Sequence, residues 1–215
     1  MDSSTSKTVA AHLLRIKAVF LRPQEPFTWA SGIKSPIYCD NRLVLSDVEA
    51  RRAVENGLAG LVREYFPACE ALMGTSTAGI AHAAIAADIL SLPMGYVRSG
   101  AKDHGRGNRI EGRLDRGEKV VVVEDLISTG GSVIDTVEAL RSEGAEVLGV
   151  VSIFTYGLSK GIERLASAGI ENRSLTCLDT LLEVAALEGY VSESEKAAIL
   201  KFRSNPSDEQ WILEV

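Results

Sequence analysis

Residues 119–135, KVVVVEDLISTGGSVID, constrain the fold more than any other stretch of the chain. Val120, Val121, Val122 and Val123 form a β-branched, wholly apolar run. Such a run suits a strand buried on both faces of a parallel sheet, since a half-exposed strand would alternate in polarity. Glu124 and Asp125 follow where the strand leaves the sheet. Next come the turn Ser128, Thr129, Gly130, Gly131 and Ser132, and then Val133, Val137 and Leu140 at helical spacing. An open α/β sheet builds a site beyond the carboxyl ends of its strands from this order of parts.

Each residue type there has a physical job. A helix N-terminus leaves backbone N–H groups unpaired and carries partial positive charge, so it can seat a phosphate. Gly130 and Gly131 let the backbone come close to an anion. Ser128, Thr129 and Ser132 add hydroxyl donors. Glu124 and Asp125 accept hydrogen bonds and repel phosphate, so they fit sugar hydroxyls or a hydrated Mg²⁺ shared between protein and ligand. Together these features suit a ribose 5-phosphate group. Acidic and hydroxyl residues ahead of a helix are also ordinary caps, and Gly-Gly is an ordinary turn. The complete order in one uninterrupted segment favours the ligand site. Neither a G-x-x-x-x-G-K-[ST] loop nor a G-x-G-x-x-G after a strand is present. The segment resembles the phosphoribosyl diphosphate signature of the type I phosphoribosyltransferases.

A chain of 215 residues is long enough for one substantial domain. Its net charge of −6 argues against non-specific nucleic-acid binding. The three cysteines, Cys39, Cys69 and Cys177, are widely spaced and lack C-x-x-C pairing, which predicts a reduced protein with no zinc site. The start, MDSSTSK, has no basic segment ahead of an apolar core, and no apolar run approaches spanning length. The expectation is a soluble, cytoplasmic protein.

Val9, Leu13, Ile16 and Phe20 predict an amphipathic first helix over about 6–20. Residues 27–42, FTWASGIKSPIYCDNR, read as a hairpin or pair of short strands. This segment closely resembles the N-terminal signature of orotate phosphoribosyltransferases, F-T-x-x-S-G-x-K-S-P followed by an aromatic residue and, in one subgroup, D-N-R. Other phosphoribosyltransferases, including the purine-base ones, lack it. Residues 46–64 open with a capping-box pattern, Ser46 to Glu49, and continue as a helix. A short buried strand over 71–74 runs into Thr75, Ser76, Thr77, Ala78 and Gly79, a second hydroxyl-and-glycine turn ahead of a helix over 80–90. His82 on that helix reads as a packing residue. Further strands are expected at 94–98, 147–154 and 175–178. Helices are expected at 180–187 and 193–202, the latter opening with a capping box, Ser192 to Glu195.

Between Arg98 and Arg113 there are five basic residues against two acidic ones, in a glycine-punctuated segment with almost no apolar side chain. Its Arg98-Ser99-Gly100-Ala101-Lys102-Asp103-His104-Gly105 resembles the catalytic loop of orotate phosphoribosyltransferases.

The resemblance implies an open, mostly parallel five-stranded α/β sheet flanked by helices, with a small N-terminal hood. The hood would come from about 1–42, the core from 43–180 and the C-terminal helices from 180–215. It implies transfer of 5-phosphoribosyl from phosphoribosyl diphosphate to orotate with Mg²⁺, giving orotidine 5′-monophosphate. Lys102, Asp103 and His104 match the family's catalytic loop residues. Substrate contacts are implied at Arg98, Lys102 and His104, at Glu124, Asp125, Leu126, Ile127 and the 128–132 turn, and at Lys34, Tyr38 and Arg42. Thr77 is implied at the diphosphate turn, where some relatives carry an aromatic-lysine pair instead. Glu124 and Asp125 are the implied Mg²⁺ contacts, through water and ligand. Tyr156 stands where some relatives place an arginine on the base, so the substrate carboxylate is expected at Arg42 or at backbone N–H groups. In that family the loop, here 99–113, closes over the partner's site, which implies a homodimer.

Overall fold

The computed structural model describes residues 3–29, 32–100 and 109–214. Helix α1 (Ser3–Arg15) buries Val9, Leu13 and Leu14. It ends earlier than its apolar spacing predicts. Lys17 adopts a left-handed conformation (φ 57°), and Phe20 belongs to β1 (Val19–Leu21). An apolar residue at helical spacing serves a strand equally well, so the period alone could not place this boundary. Next come β2 (Phe27–Thr28), β3 (Lys34–Ser35) and β4 (Ile37–Cys39). β1 pairs antiparallel with β4, and β2 with β3.

A 3-10 turn, Asn41–Ser46, leads into α2 (Val48–Tyr65). Its cap is Asp47 and not the predicted Ser46. The Asp47 carboxylate accepts the Ala50 N–H at 2.9 Å and also binds Arg15. A full negative charge suits the positive end of a helix better than a hydroxyl does. Strands and helices then alternate: β5 (Ala71–Thr75), α3 (Ala78–Leu90), β6 (Met94–Val97), β7 (Ile110–Glu111), β8 (Lys119–Ile127), α4 (Gly131–Ser142), β9 (Glu146–Thr155), α5 (Ser159–Ser167), β10 (Asn172–Cys177), α6 (Leu178–Leu187) and α7 (Glu193–Ser204). The Ser192–Glu195 capping box forms as predicted. The last 3-10 turn, Glu209–Glu214, docks through the buried Trp211, which meets Phe202 edge-on.

The main sheet runs β10-β9-β8-β5-β6-β7. All its pairings are parallel except β6 with β7. The sheet therefore has six strands and not the expected five. The additional one is a two-residue edge strand in a stretch too polar to read as a strand, and its Ile110 is buried.

Val120 to Val123 are all fully buried. Val121 and Val123 enter one core with Leu72, Val151 and residues of α1, α2, α3 and α6. Val120 and Val122 enter the opposite core with Met73, Val133, Val137 and Leu140. The period of two along a strand sends alternate side chains to opposite faces, so an unbroken apolar run requires helices on both. From β5 the chain crosses through α3 to β6, and from β8 it crosses through α4 to β9 on the other side. β5 and β8 are adjacent, so the strand order reverses between them. A crevice at such a switch point is where open α/β sheets bind ligands.

Candidate active site

Two helices begin at this switch point. α4 starts after Gly130, whose φ of 73° a side chain would oppose, and α3 starts after Thr77. Neither helix has a side-chain cap. Their first N–H groups are thus left for another acceptor. α5 and α6 also lack side-chain caps, but only α3 and α4 follow the two adjacent central strands. Gly79 brings the two seats together. A Cβ there would stand 2.4 Å from the Val123 carbonyl oxygen and 2.5 Å from Thr75 Oγ1, so α3 starts in direct contact with the middle of β8, which runs on to Ile127 past the predicted exit at Glu124.

Glu124 sits between the two seats, 4% exposed. Its Oε1 accepts the Thr75 hydroxyl at 2.7 Å and the Asp125 N–H at 2.9 Å, while Oε2 accepts the Ser132 hydroxyl at 3.1 Å. Burial pushes this carboxyl up to about 8, and the neighbouring Asp125 adds to the effect. Ser132 therefore faces Glu124 rather than standing as a free donor. Asp125 is only half-buried. Leu126 and Ile127 pair with Phe154 and Thr155 across the sheet, and Ile127 is buried. Ser128 and Thr129 complete the turn into Gly130 and Gly131.

On the α3 side, Arg98 follows β6. Its Nη1 is buried, makes no hydrogen bond among the described residues and lies 3.8 Å from Glu111 Oε1. The Ser76 N–H donates to the Val97 carbonyl at 3.1 Å, which fixes the Thr77 turn beside this arginine. Arg109 joins the two halves: its Nε donates to the Arg98 carbonyl at 3.0 Å, and its terminal nitrogens pair with Asp135 on α4. Lys102, Asp103 and His104 lie outside the described residues.

In the hood, Lys34 Nζ donates to Thr28 Oγ1 at 2.7 Å, and the 41%-exposed Tyr38 packs its ring 5.5 Å from Phe27. Arg42 binds both oxygens of Asp40, at 2.6 and 2.8 Å, with its side chain exposed. Tyr156 is buried edge-on against Trp29 and Phe154, and burial pushes its phenol well up. It offers packing there and no charge. His82 is fully buried against the equally buried Glu55, Nδ1 to Oε1 at 2.6 Å, away from any role as a base toward a ligand.

The sequence reading missed Asn41, Thr75 and Arg109 as site-building residues. Asn41 is fully buried and donates from Nδ2 to the Asp125 carbonyl at 2.7 Å, tying the hood to the acidic pair. Its only signal was its place inside the D-N-R of the hood segment.

The described residues hold no group of three or more His, Cys, Asp or Glu able to cage a metal ion. Mg²⁺ does not need such a cage, because it keeps several waters and takes one or two carboxylates plus ligand phosphates. The half-buried Asp125, next to two anion seats, fits that mode.

The fold and site define an open α/β protein with two uncapped helix N-termini and an acidic pair at its switch point. The phosphoribosyl transferase domain family matches residues 46–190. The orotate phosphoribosyltransferase of Bacillus cytotoxicus is 57% identical over 206 residues, 96% of this chain and 98% of that protein. The crystal structure of orotate phosphoribosyltransferase from Aeropyrum pernix superposes with a TM-score of 0.74 at 34% identity, covering 86% of this chain and 99% of that one. The Leishmania donovani UMP synthase structure superposes with a TM-score of 0.79 at 26% identity, where this chain covers 92% of itself and 42% of that longer chain. The chain belongs to the phosphoribosyltransferases and, within them, to the orotate phosphoribosyltransferase family.

Proposed function

We propose that this protein transfers the 5-phosphoribosyl group of phosphoribosyl diphosphate to orotate, releasing diphosphate and forming orotidine 5′-monophosphate in pyrimidine nucleotide synthesis. The observation that carries this reading is the pair of uncapped helix N-termini on adjacent strands, with Glu124 and Asp125 between them. Their order suits a ligand with phosphate at both ends and hydroxyls in the middle.

As the bond from the anomeric carbon to diphosphate breaks, positive charge grows on the ribose and negative charge on the leaving group. The 128–132 turn anchors the 5-phosphate through backbone N–H groups and hydroxyls. Asp125 accepts from the ribose hydroxyls, and Glu124 holds the two seats at a fixed separation. The Thr77 turn and Arg98 take the diphosphate, with Lys102 and His104 of the 99–113 loop adding charge to the leaving group. Asp125 and Glu124, through water and the ligand, would hold Mg²⁺, which would supply neutralisation of phosphate charge. Lys34, Tyr38 and Arg42 face the base. The protein works as a cytoplasmic homodimer, each loop serving the partner's site.

The test is the absorbance change of orotate with phosphoribosyl diphosphate and Mg²⁺, beside hypoxanthine, adenine and uracil. Consumption of orotate alone is the expected result. Turnover of a purine and not of orotate would overturn the substrate, and ligand binding without turnover would leave a sensor in place of an enzyme.

A further inference from the structure

The turn at 128–132 leans on one face of α5. A Cβ on Gly161 would stand 2.3 Å from the Ser128 carbonyl oxygen, so helix and turn touch backbone to backbone. A Cβ on Gly130 would meet Leu165 at 3.5 Å. Between these contacts, Arg164 donates from Nη1 to the Thr129 carbonyl at 3.1 Å. Its Nη1 and Nη2 lie 3.6 and 3.9 Å from where a Cβ on Gly131, the first residue of α4, would point. Residues 161, 164 and 165 share a helix face by their spacing.

The contact to Thr129 reaches further than one hydrogen bond. The peptide joining Thr129 to Gly130 is planar and trans, so fixing its carbonyl fixes the direction of the Gly130 N–H on the opposite side. Two successive glycines otherwise leave this turn free to rotate, and a rotated peptide would present a carbonyl where an anion must sit. Among the described residues no carboxylate pairs with Arg164, so its charge is not already spent. A guanidinium stays ionised throughout the working pH range.

We propose that Arg164 is a positioning residue for the 5-phosphate, holding the Thr129–Gly130 peptide so that its N–H faces the ligand and lending positive charge to the start of α4. The inference rests on the function proposed above and adds a part of the phosphate site that lies outside the turn itself. Its ligands are all those with a 5-phosphorylated ribose, substrate and product alike.

The test compares the wild-type protein with Arg164→Ala and Arg164→Lys, after thermal melts show the variants folded, as expected for an exposed side chain. Arg164→Ala should raise the KM for phosphoribosyl diphosphate about tenfold and weaken inhibition by ribose 5-phosphate equally, as for loss of one charged hydrogen bond. It should leave kcat within about twofold and inhibition by inorganic diphosphate unchanged, since diphosphate occupies the other seat. Arg164→Lys should recover most of the loss. An unchanged KM and unchanged ribose 5-phosphate inhibition in the alanine variant would overturn the inference. So would an equal weakening toward diphosphate, the mark of general damage. If the wild-type protein did not turn orotate over, the proposed function would fall on its own. Calorimetric binding of ribose 5-phosphate to the same variants would still decide the role of Arg164.

Discussion

The Thr75 hydroxyl at the end of β5 donates to Glu124, inside β8, across 2.7 Å, with both residues buried. The same carboxyl accepts the Ser132 hydroxyl from the first turn of α4. One side chain thus links both strands of the switch point to the helix that follows.

This arrangement makes stability depend on pH. Burial raises the Glu124 carboxyl from 4.5 to about 8, so folding favours its protonated form. The contribution is complete below about pH 4.5 and is lost as pH rises through 8. The wild-type melting temperature should therefore fall between pH 5 and 8 by about 5–10 °C more than that of Glu124→Gln, read by calorimetry. Parallel curves for the two proteins would show that the carboxyl does not titrate in this window.

Asn41 ties the hood to the acidic pair. Replacing it by alanine removes the donor to the half-buried Asp125 carbonyl. The expected cost is about 1–3 kcal/mol in urea unfolding, with a raised KM for phosphoribosyl diphosphate. A variant as stable and active as the wild type would show that the hood is held elsewhere.

Gly79 has no room for a methyl group. A Cβ would meet the Val123 carbonyl at 2.4 Å, and that atom is backbone. Gly79→Ala should destabilise the protein by about 3 kcal/mol and separate the two seats, so turnover should fall even where the variant remains folded. Denaturant midpoints and kcat/KM together check this.

The loop assignment is tested by Lys102→Ala. A well-placed cation on the leaving diphosphate should contribute about a hundredfold in kcat, roughly 3 kcal/mol. Near-normal turnover would remove Lys102 from the catalytic set.

Arg109 and Asp135 couple the loop's root to α4. Asp135→Asn keeps the shape but removes the charge. It should raise the KM for phosphoribosyl diphosphate severalfold, since Arg109 also holds the Arg98 carbonyl. The effect should vanish in an Arg109→Gln background, because coupled residues lose additivity.

The sequence by itself determined the parallel sheet and the glycine turn between β8 and α4. Four adjacent valines suit a strand covered on both faces, and two glycines after an acidic pair mark a tight turn ahead of a helix. These are local properties, complete within about twenty residues. The boundaries of α1 and the cap of α2 were misplaced because local patterns permit neighbouring solutions, and distant partners chose between them. Asp47 is the cap partly because Arg15 lies beside it. The edge strand β7 was invisible because its pairing with β6, not its composition, makes it a strand. Only the tertiary structure decided that Glu124 faces Thr75, that Asn41 reaches Asp125, and that Arg164 stands behind the turn. Those contacts join residues 49, 84 and 35 positions apart. No periodicity records them, because they arise only when the sheet order brings the elements together.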